Sequence, residues 1–527
     1  MFRRSVAVVT VLAGLVLTAG CSFGDGPPPV RETGSTASGE PRPVEEVAPA
    51  GVSVTVSLRG EQVEVVVGPV MRHDGYGVLE ISAVGQVERG ANLGLVLNDP
   101  YVGSVGPDAV RLVDPRAGTV SSVALDVDGE PVMTDERAVV GVEPVQLSAV
   151  FAAPGGEVVD VLLPEIGYVA DVPVVRAEDV EGEVTELAEL TDAAPVDLQL
   201  PVYALDTFVE QLGGDVSTRS QDDAVTVAVA ADVLFATDSA DLGSAADEAL
   251  TVAGAQIADH PGGELVIVGH TDDVASHAYN DELSERRAQA VSDRLADLVD
   301  LSAYEVTVEG RGKREPVASG RSDEARAANR RVELRFTPAE VAEEPEQGEV
   351  RPGLIPVGAG EMPETDGPVA TGAEGVVISR RDREYHVGLD QVRRIDGVLV
   401  GELEVTQVAG DKGFVGGLFS GGAWDARGDL HARMQSAVTN VTILAGNTRV
   451  SSFDYVTSEE HSWRNPLADR YLGAVSLEVD QTTRVTVVWP DVAGETVVVD
   501  APQRVHSIGF EFGSPPFRLT DVPVVDG

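Results

Sequence analysis

The sequence predicts a multidomain fold in which a central α/β unit is flanked by two all-β sandwiches of immunoglobulin-like type. Between 201 and 337, apolar runs of strand length alternate with segments of helix length, the pattern of an α/β layer. On either side, 51–178 and 373–527 consist of short valine-rich alternating runs broken by Arg-Gly and His-Asp-Gly turn signals, which suits a small β-sandwich. The flanks also echo each other. Val70-Met71-Arg72-His73-Asp74-Gly75 compares with Val392-Arg393-Arg394-Ile395-Asp396-Gly397, and both units close on Asp-Val-Pro-Val-Val, at 171–175 and 521–525. They read as a diverged duplication around the central unit.

In chain order, Arg3 and Arg4 precede the apolar run Val6 to Leu17 and a few small residues, so 1–20 reads as a secretory signal peptide. Leu17-Thr18-Ala19-Gly20-Cys21 resembles a lipobox, which makes Cys21 the expected lipidation site; it is the only cysteine among 527 residues. Residues 21–50 are rich in Pro, Gly, Ser and acid and read as a lipidated flexible tether. Segment 179–200 reads as an acidic linker and 338–372 as a second linker rich in Pro, Gly and Glu. Within 201–337 the expected elements are a strand Val225 to Phe235, a helix Ala245 to Ala258, a strand Glu264 to Gly269, a helix Asp281 to Leu298, and strands Val306 to Glu309 and Val332 to Thr337.

The most informative stretch is Gly269-His270-Thr271-Asp272-Asp273, followed by Tyr279-Asn280-Asp281-Glu282-Leu283-Ser284-Glu285-Arg286-Arg287-Ala288. It places a carboxylate at the end of a buried strand. A helix follows, with Asn280 the expected N-cap and Arg287 two turns in. An anion and a cation flanking one crevice suit a zwitterion: the carboxylate takes an ammonium, and the guanidinium forks onto a carboxylate. With Leu234-Phe235-Ala236-Thr237-Asp238-Ser239-Ala240-Asp241-Leu242 before it and Ala328-Asn329-Arg330-Arg331-Val332-Glu333-Leu334 after it, this stretch resembles the OmpA-like peptidoglycan-binding domain family. The resemblance implies a βαβαβ sandwich whose ligand is the diaminopimelate of the wall stem peptide. Asp272 and Arg287 would hold its zwitterionic end, with Asn280 and Arg330 at supporting positions. The plain alternative is a surface ion pair worth roughly 0 to 1 kcal/mol, with no ligand.

A formal charge of −49 repels phosphate backbones and anionic lipid surfaces, which excludes nucleic acid as a partner. His260, His270 and His277 lie near Asp272 and Asp273, but their spacing fits no standard zinc site. Asp126-Val127-Asp128-Gly129-Glu130 begins like a calcium loop and lacks the later ligands, so it reads as a strand turn. No metal and no cofactor are expected. Trp424, Trp463 and Trp489 suit core packing better than glycan stacking. Without a nucleophile motif, HExxH or paired catalytic carboxylates, the expected function is a non-catalytic cell-envelope lipoprotein. It would bind peptidoglycan and tether it to a membrane, either the outer membrane or the outer face of a single cytoplasmic membrane. The alternative is an envelope scaffold or wall-remodelling factor whose β domains bind another protein or a glycan.

Overall fold

Valine alternating with polar residues makes strands with one buried face, and the first β unit is built from such strands. The computed structural model describes residues 51–527 except 59, 101–103, 181–184, 192–193, 213–215, 222–223, 259–261, 319–320, 340–354, 356, 359, 421–435, 458–463, 471, 473–474 and 504–513. In the first unit lie β1 Val52–Leu58, β2 Glu61–Arg72, β3 Tyr76–Gly85, the turn α1 Leu93–Val96, β4 Arg111–Asp114, β5 Thr119–Ser121, β6 Val145–Ala152, β7 Val158–Leu163 and β8 Gly167–Arg176. The first part of β8 pairs antiparallel with β7 and its end pairs parallel with β2, so β8 joins two layers. Val65, Ile81, Phe151, Val161 and Val172 fill the core between them.

Segment 179–200 does not hang free as a linker. It lies along the first unit, with Leu187 of α2 Leu187–Leu190 buried and Val180, Leu190, Leu198 and Leu200 packed on a cluster containing Tyr76, Val78 and Val150. Leucines spaced among glutamates supply a narrow apolar stripe, enough to dock a segment too acidic to form a core of its own.

Three strands then connect the units: β9 Val202–Ala204, β10 Thr207–Gln211 and β11 Val216–Gln221. β9 pairs with β5 of the first unit, whereas β10 pairs with β23 Thr448–Val450 of the second. Two residues, Leu205 and Asp206, separate them. The central unit continues with β12 Ala224–Ala230, α3 Ala231–Leu234, α4 Ala246–Ala258, β13 Gly263–His270, α5 His277–Leu298, β14 Tyr304–Gly312, α6 Asp323–Asn329 and β15 Arg331–Pro338. Its strands lie in the order β14-β13-β15-β12-β11, with only β13 and β14 parallel. Two expectations need correction. The run expected as one strand from Val225 to Phe235 leaves the sheet at Ala230 and turns helical, because Leu234 and Phe235 are drawn into the core under α4. α5 begins four residues earlier than expected, at His277.

α5 sits unusually close to the sheet. Gly269 and Gly310 are paired neighbours on the parallel strands β13 and β14. A Cβ at Gly269 would overlap the Ser284 carbonyl oxygen, and one at Gly310 would stand 2.6 Å from the Glu285 nitrogen. The Ser284 hydroxyl accepts from Gly312 N at 2.9 Å, which fixes the helix on this notch.

The second β unit contains β16 Val369–Thr371, β17 Val376–Arg380, β18 Arg383–Gly388, β19 Val392–Ile395, β20 Val398–Ala409, β21 Gly413–Phe414, β22 Thr442–Ala445, β23, β24 Asp454–Val456, β25 Arg464–Pro466, β26 Ser476–Leu477, β27 Thr482–Pro490, β28 Thr496–Ala501 and β29 Phe517–Asp526. It repeats the pairing of the first. Val70 faces Val174 as Val392 faces Val524, and Met71 faces Val78 as Arg393 faces Val400. Val78 faces Val150 as Val400 faces Val488, and Leu112 faces Val161 as Ile443 faces Val499. Even the irregularity recurs, between Val159 and Val161 and between Val497 and Val499. Turn conformations repeat too: φ is 88° at Gly75 and 86° at Gly397, and 54° at Asp171 and 53° at Asp521. A shared register at this many positions supports duplication, and β9 and β10 complete the same edge of each copy.

The copies are not held apart. Val120, Tyr168 and Leu205 share a buried cluster with Ile395, Phe453, Tyr455 and Val488. Arg111 Nε donates to the Tyr455 hydroxyl at 2.9 Å, and Arg393 donates to Tyr168 O at 2.9 Å. Between them, Asp206 and Asp454 exchange backbone hydrogen bonds at 2.7 and 3.1 Å while Arg464 bridges their carboxylates.

Overpacking a tight contact costs roughly 1 to 3 kcal/mol. Gly269→Ala should therefore lower the unfolding free energy of the full chain by that order, with a lower urea midpoint, whereas Gly155→Ala, with nothing within 4 Å of the added carbon, should leave the midpoint unchanged. Equal midpoints for wild type and Gly269→Ala would show that the notch does not seat the helix.

Candidate functional site

The end of β13 delivers the chain into a strapped loop. Thr271 N donates to Gly312 O at 2.9 Å, and Asp272 Oδ1 accepts from Val274 N at 3.1 Å, closing a short turn. Lys313 Nζ donates to Ala275 O at 2.6 Å. Asp273 is held by Arg326 at 2.8 Å and Arg321 at 3.2 Å, and these arginines keep its carboxyl below the usual range. The loop is thus fixed by cations from α6 and the segments before it.

Asn280 is not the N-cap of α5. Ser276 fills that position, accepting from Tyr279 N, and Asn280 lies inside the first turn, 2% exposed. Its Nδ2 donates to Asp272 O and Ala275 O, both at 3.4 Å. Asn280 thus supports the loop backbone from below. A serine before the helix competed with an asparagine inside it, and the serine is the one with a free backbone donor in reach.

Asp272 pairs with Arg330 rather than with Arg287. Arg330 Nη1 donates to Asp272 Oδ2 at 3.0 Å, while its Nε and Nη2 fork onto Asp232 at 2.9 and 2.6 Å. The hydrogen bond to Asp232 is the main reason Arg330 titrates above its ordinary value, and the same bond lowers Asp232. Asp232 was missed in the sequence. It stands 98 positions from its partner, on a stretch that reads as strand.

Arg287 is 4% exposed, projecting from α5 against the Leu234 to Asp241 segment. Its Nε donates to Ser239 O at 2.9 Å and its guanidinium lies over the Phe235 ring, 5.1 Å from the centroid. Among the described residues neither terminal nitrogen has a hydrogen-bond partner. Burial lowers its pKa, and the nearby charges of Asp232 and Asp238 oppose this. A planar cation held by one edge and one face keeps its fork available to a carboxylate. The site therefore combines a buried guanidinium, its terminal nitrogens unpartnered among the described residues, with a carboxylate, Asp272, which can accept further donors beyond the two it has.

Behind the site His270 and Glu333 are buried, 3.6 Å apart. Burial raises Glu333, but the facing His270 ring and the cations Arg331 and Arg335 outweigh it and hold the carboxyl well below the usual range. His270 is lowered by burial. Of the other expected candidates, Trp489 is buried and donates to Val441 O at 3.0 Å. Cys21, His260, Trp424 and Trp463 lie outside the described residues. Among the described residues no group of three metal-ligating side chains comes together.

A carboxyl lowered in the folded state binds its proton more readily when unfolded, so its contribution is present above the unfolded value and lost on acidification. Stability should fall as pH drops below about 4.5, the ordinary value for glutamate. Glu333→Gln should flatten that limb and cost roughly 3 to 5 kcal/mol at neutral pH, since it leaves the buried Arg331 without its carboxylate. Denaturant titrations between pH 3 and 7 check this; parallel limbs for both proteins would refute it.

Comparison with known proteins places these residues in a family. Residues 234–330 match the OmpA family. The chain is 45% identical over 74 residues to outer membrane porin F of Pseudomonas aeruginosa, covering 14% of this chain and 21% of that protein. It is 36% identical over 101 residues to the peptidoglycan-associated lipoprotein of Legionella pneumophila, covering 19% and 57%. It thus spans less than two thirds of these relatives. Among solved structures, the cell wall anchor of the T6SS from Pseudomonas aeruginosa is 34% identical, with a TM-score of 0.22, covering 24% of this chain and 89% of that one. Within this larger β-rich chain, residues 234–330 are an OmpA-family domain.

Proposed function

We propose that this chain is a non-catalytic cell-envelope lipoprotein that binds peptidoglycan through the diaminopimelate of the stem peptide and tethers the wall to a membrane. The observation that carries the reading is Arg287, nearly buried yet with both terminal nitrogens unpartnered among the described residues, close to a carboxylate cluster. Arg287 would take the headgroup carboxylate and Asp272 its ammonium. Arg330 would hold Asp272 in place, and Asn280 would hold the loop that carries it. Relatives named as peptidoglycan-associated lipoproteins support the wall as ligand and the envelope as location. The proposed modules are 51–178, 201–337 and 373–527, and two layers around one apolar core support an immunoglobulin-like assignment for the first. Lipid on Cys21, following a signal peptide, would supply the membrane end.

Removing one partner of a desolvated charge pair costs roughly 2 to 5 kcal/mol. Arg287→Ala and Asp272→Ala should each weaken sedimentation with diaminopimelate-type sacculi at least about tenfold. Walls with lysine at that position should be poor ligands for wild type, since lysine lacks the second carboxylate. Retention of both variants on diaminopimelate walls would sink this assignment.

For the anchor, Cys21→Ser should abolish labelling by a fatty-acid probe and leave unprocessed precursor; undiminished labelling would remove the lipoprotein reading. Stable retention needs more than one acyl chain, because a single chain binds only marginally.

A further inference from the structure

Asp469 lies between β25 and β26 of the second copy, 3% exposed, where the first copy docks. Its position is fixed on β27: its N donates to Thr486 O at 2.9 Å, and Thr486 N donates to its Oδ2 at 2.8 Å. The same carboxyl reaches across the junction and accepts from Glu165 N, in the turn between β7 and β8. Glu165 holds φ at 59°, a left-handed backbone that is costly for a residue with a side chain and persists where surrounding contacts hold it. Among the described residues no cation pairs with this carboxyl. The charges that bear most on it, Glu165 and Glu402, are both negative. Arg484, the cation beside Glu402 at 3.6 Å, donates to Ile166 O at 3.1 Å. Arg111 and Arg470 line a small cavity with Asp469, and both donate to the Tyr455 hydroxyl, at 2.9 and 3.2 Å. Burial outweighs the two backbone donors and pushes Asp469 up to about 7. Two cavities of about 10 Å³ touch it, each about the size of one water, which leaves room for a water to carry its proton.

We propose that Asp469 is a proton-operated latch on the junction between the two β copies. Protonated, it accepts from both backbone donors without burying a charge, and the Glu165 turn stays seated. Ionised, it is a buried charge that faces two carboxylates with no cation, a state relieved by letting the turn go and admitting water. An acid whose pKa rises on burial stabilises the closed junction fully below its ordinary value of 3.8, and that contribution is lost as pH rises to about 7. Asp206, at the same junction, acts in the same direction: burial and the facing Asp454 push it up to about 7 against the pull of Arg464 and Arg219. The junction is thus tighter in mild acid than at neutral pH. This is the opposite sense to Glu333, whose loss of stability in the central unit begins only below about 4.5.

Hydrogen exchange of the full chain between pH 5 and 8, corrected for the intrinsic pH dependence of amide exchange, reads opening at residues 165–170, with α5 as the internal reference. In wild type the opening constant at 165–170 should rise up to about tenfold per pH unit for each carboxyl that gives up its proton, then level off near pH 7, while α5 stays unchanged. Asp469→Asn should lose one proton's share of that slope. An amide nitrogen cannot accept a backbone hydrogen bond as a carboxyl oxygen does, so Glu165→Gln is the second variant. It keeps both backbone bonds and removes one facing charge; its slope should be retained and its levelling moved to lower pH. A flat wild-type profile, a wild-type slope in Asp469→Asn, or loss of α5 protection together with 165–170 overturns the latch. Where Asp469→Asn shows no protection at any pH, a Glu165→Gln profile that superposes on wild type overturns it.

Discussion

The site depends on how closely α5 lies on the sheet. Gly269 and Gly310 remove two side chains from adjacent strands, and the backbone of Ser284 and Glu285 occupies the space. That depth sets where Asn280 meets the loop after β13 and where Arg287, one turn beyond Ser284, reaches Phe235 and Ser239. A helix carried outward by a side chain on this notch would move both residues together. The GHTDD stretch therefore has a packing component as well as a chemical one: its glycine fits the helix, and its first aspartate pairs with Arg330.

Around that centre the rest of the chain is joined more closely than its composition suggests. The acidic segment 179–200, expected as a linker, contains leucines that dock, and the ten residues from Val202 to Gln211 add an edge strand to each β copy in turn. The ladder continues through β11 into β12, and the turn α3 that follows it presents Asp232 to Arg330. Carboxylates buried at the junction, Asp206 and Asp454, are matched by Arg464, which keeps a polar seam inside an apolar interface.

Much of this was legible in the sequence. The strand before Asp272, the helix bearing Arg287 and the repeated motifs of the flanking units are local patterns, and local patterns survive without a structure. The echoed motifs recur in the structure as matching turns, with Gly75 and Gly397 both in the left-handed backbone that glycine permits. What was not legible involved competition or distance. Ser276 capped the helix in place of Asn280. The alternation from Val225 to Phe235 hid a helical turn that only the position of α4 explains. Asp232 acquires its role from Arg330, far along the chain, and leucines among glutamates gave too weak a periodicity to overrule an acidic composition.

The continuity of β9 and β10 has a mechanical consequence. A pull directed along β9 and β10 would load both strands lengthwise. Each strand is bonded sideways to a different β copy, so the load falls on several backbone hydrogen bonds at once instead of peeling them singly. Such shear geometry resists extension far better than unzipping. The two β copies are therefore joined stiffly along that direction.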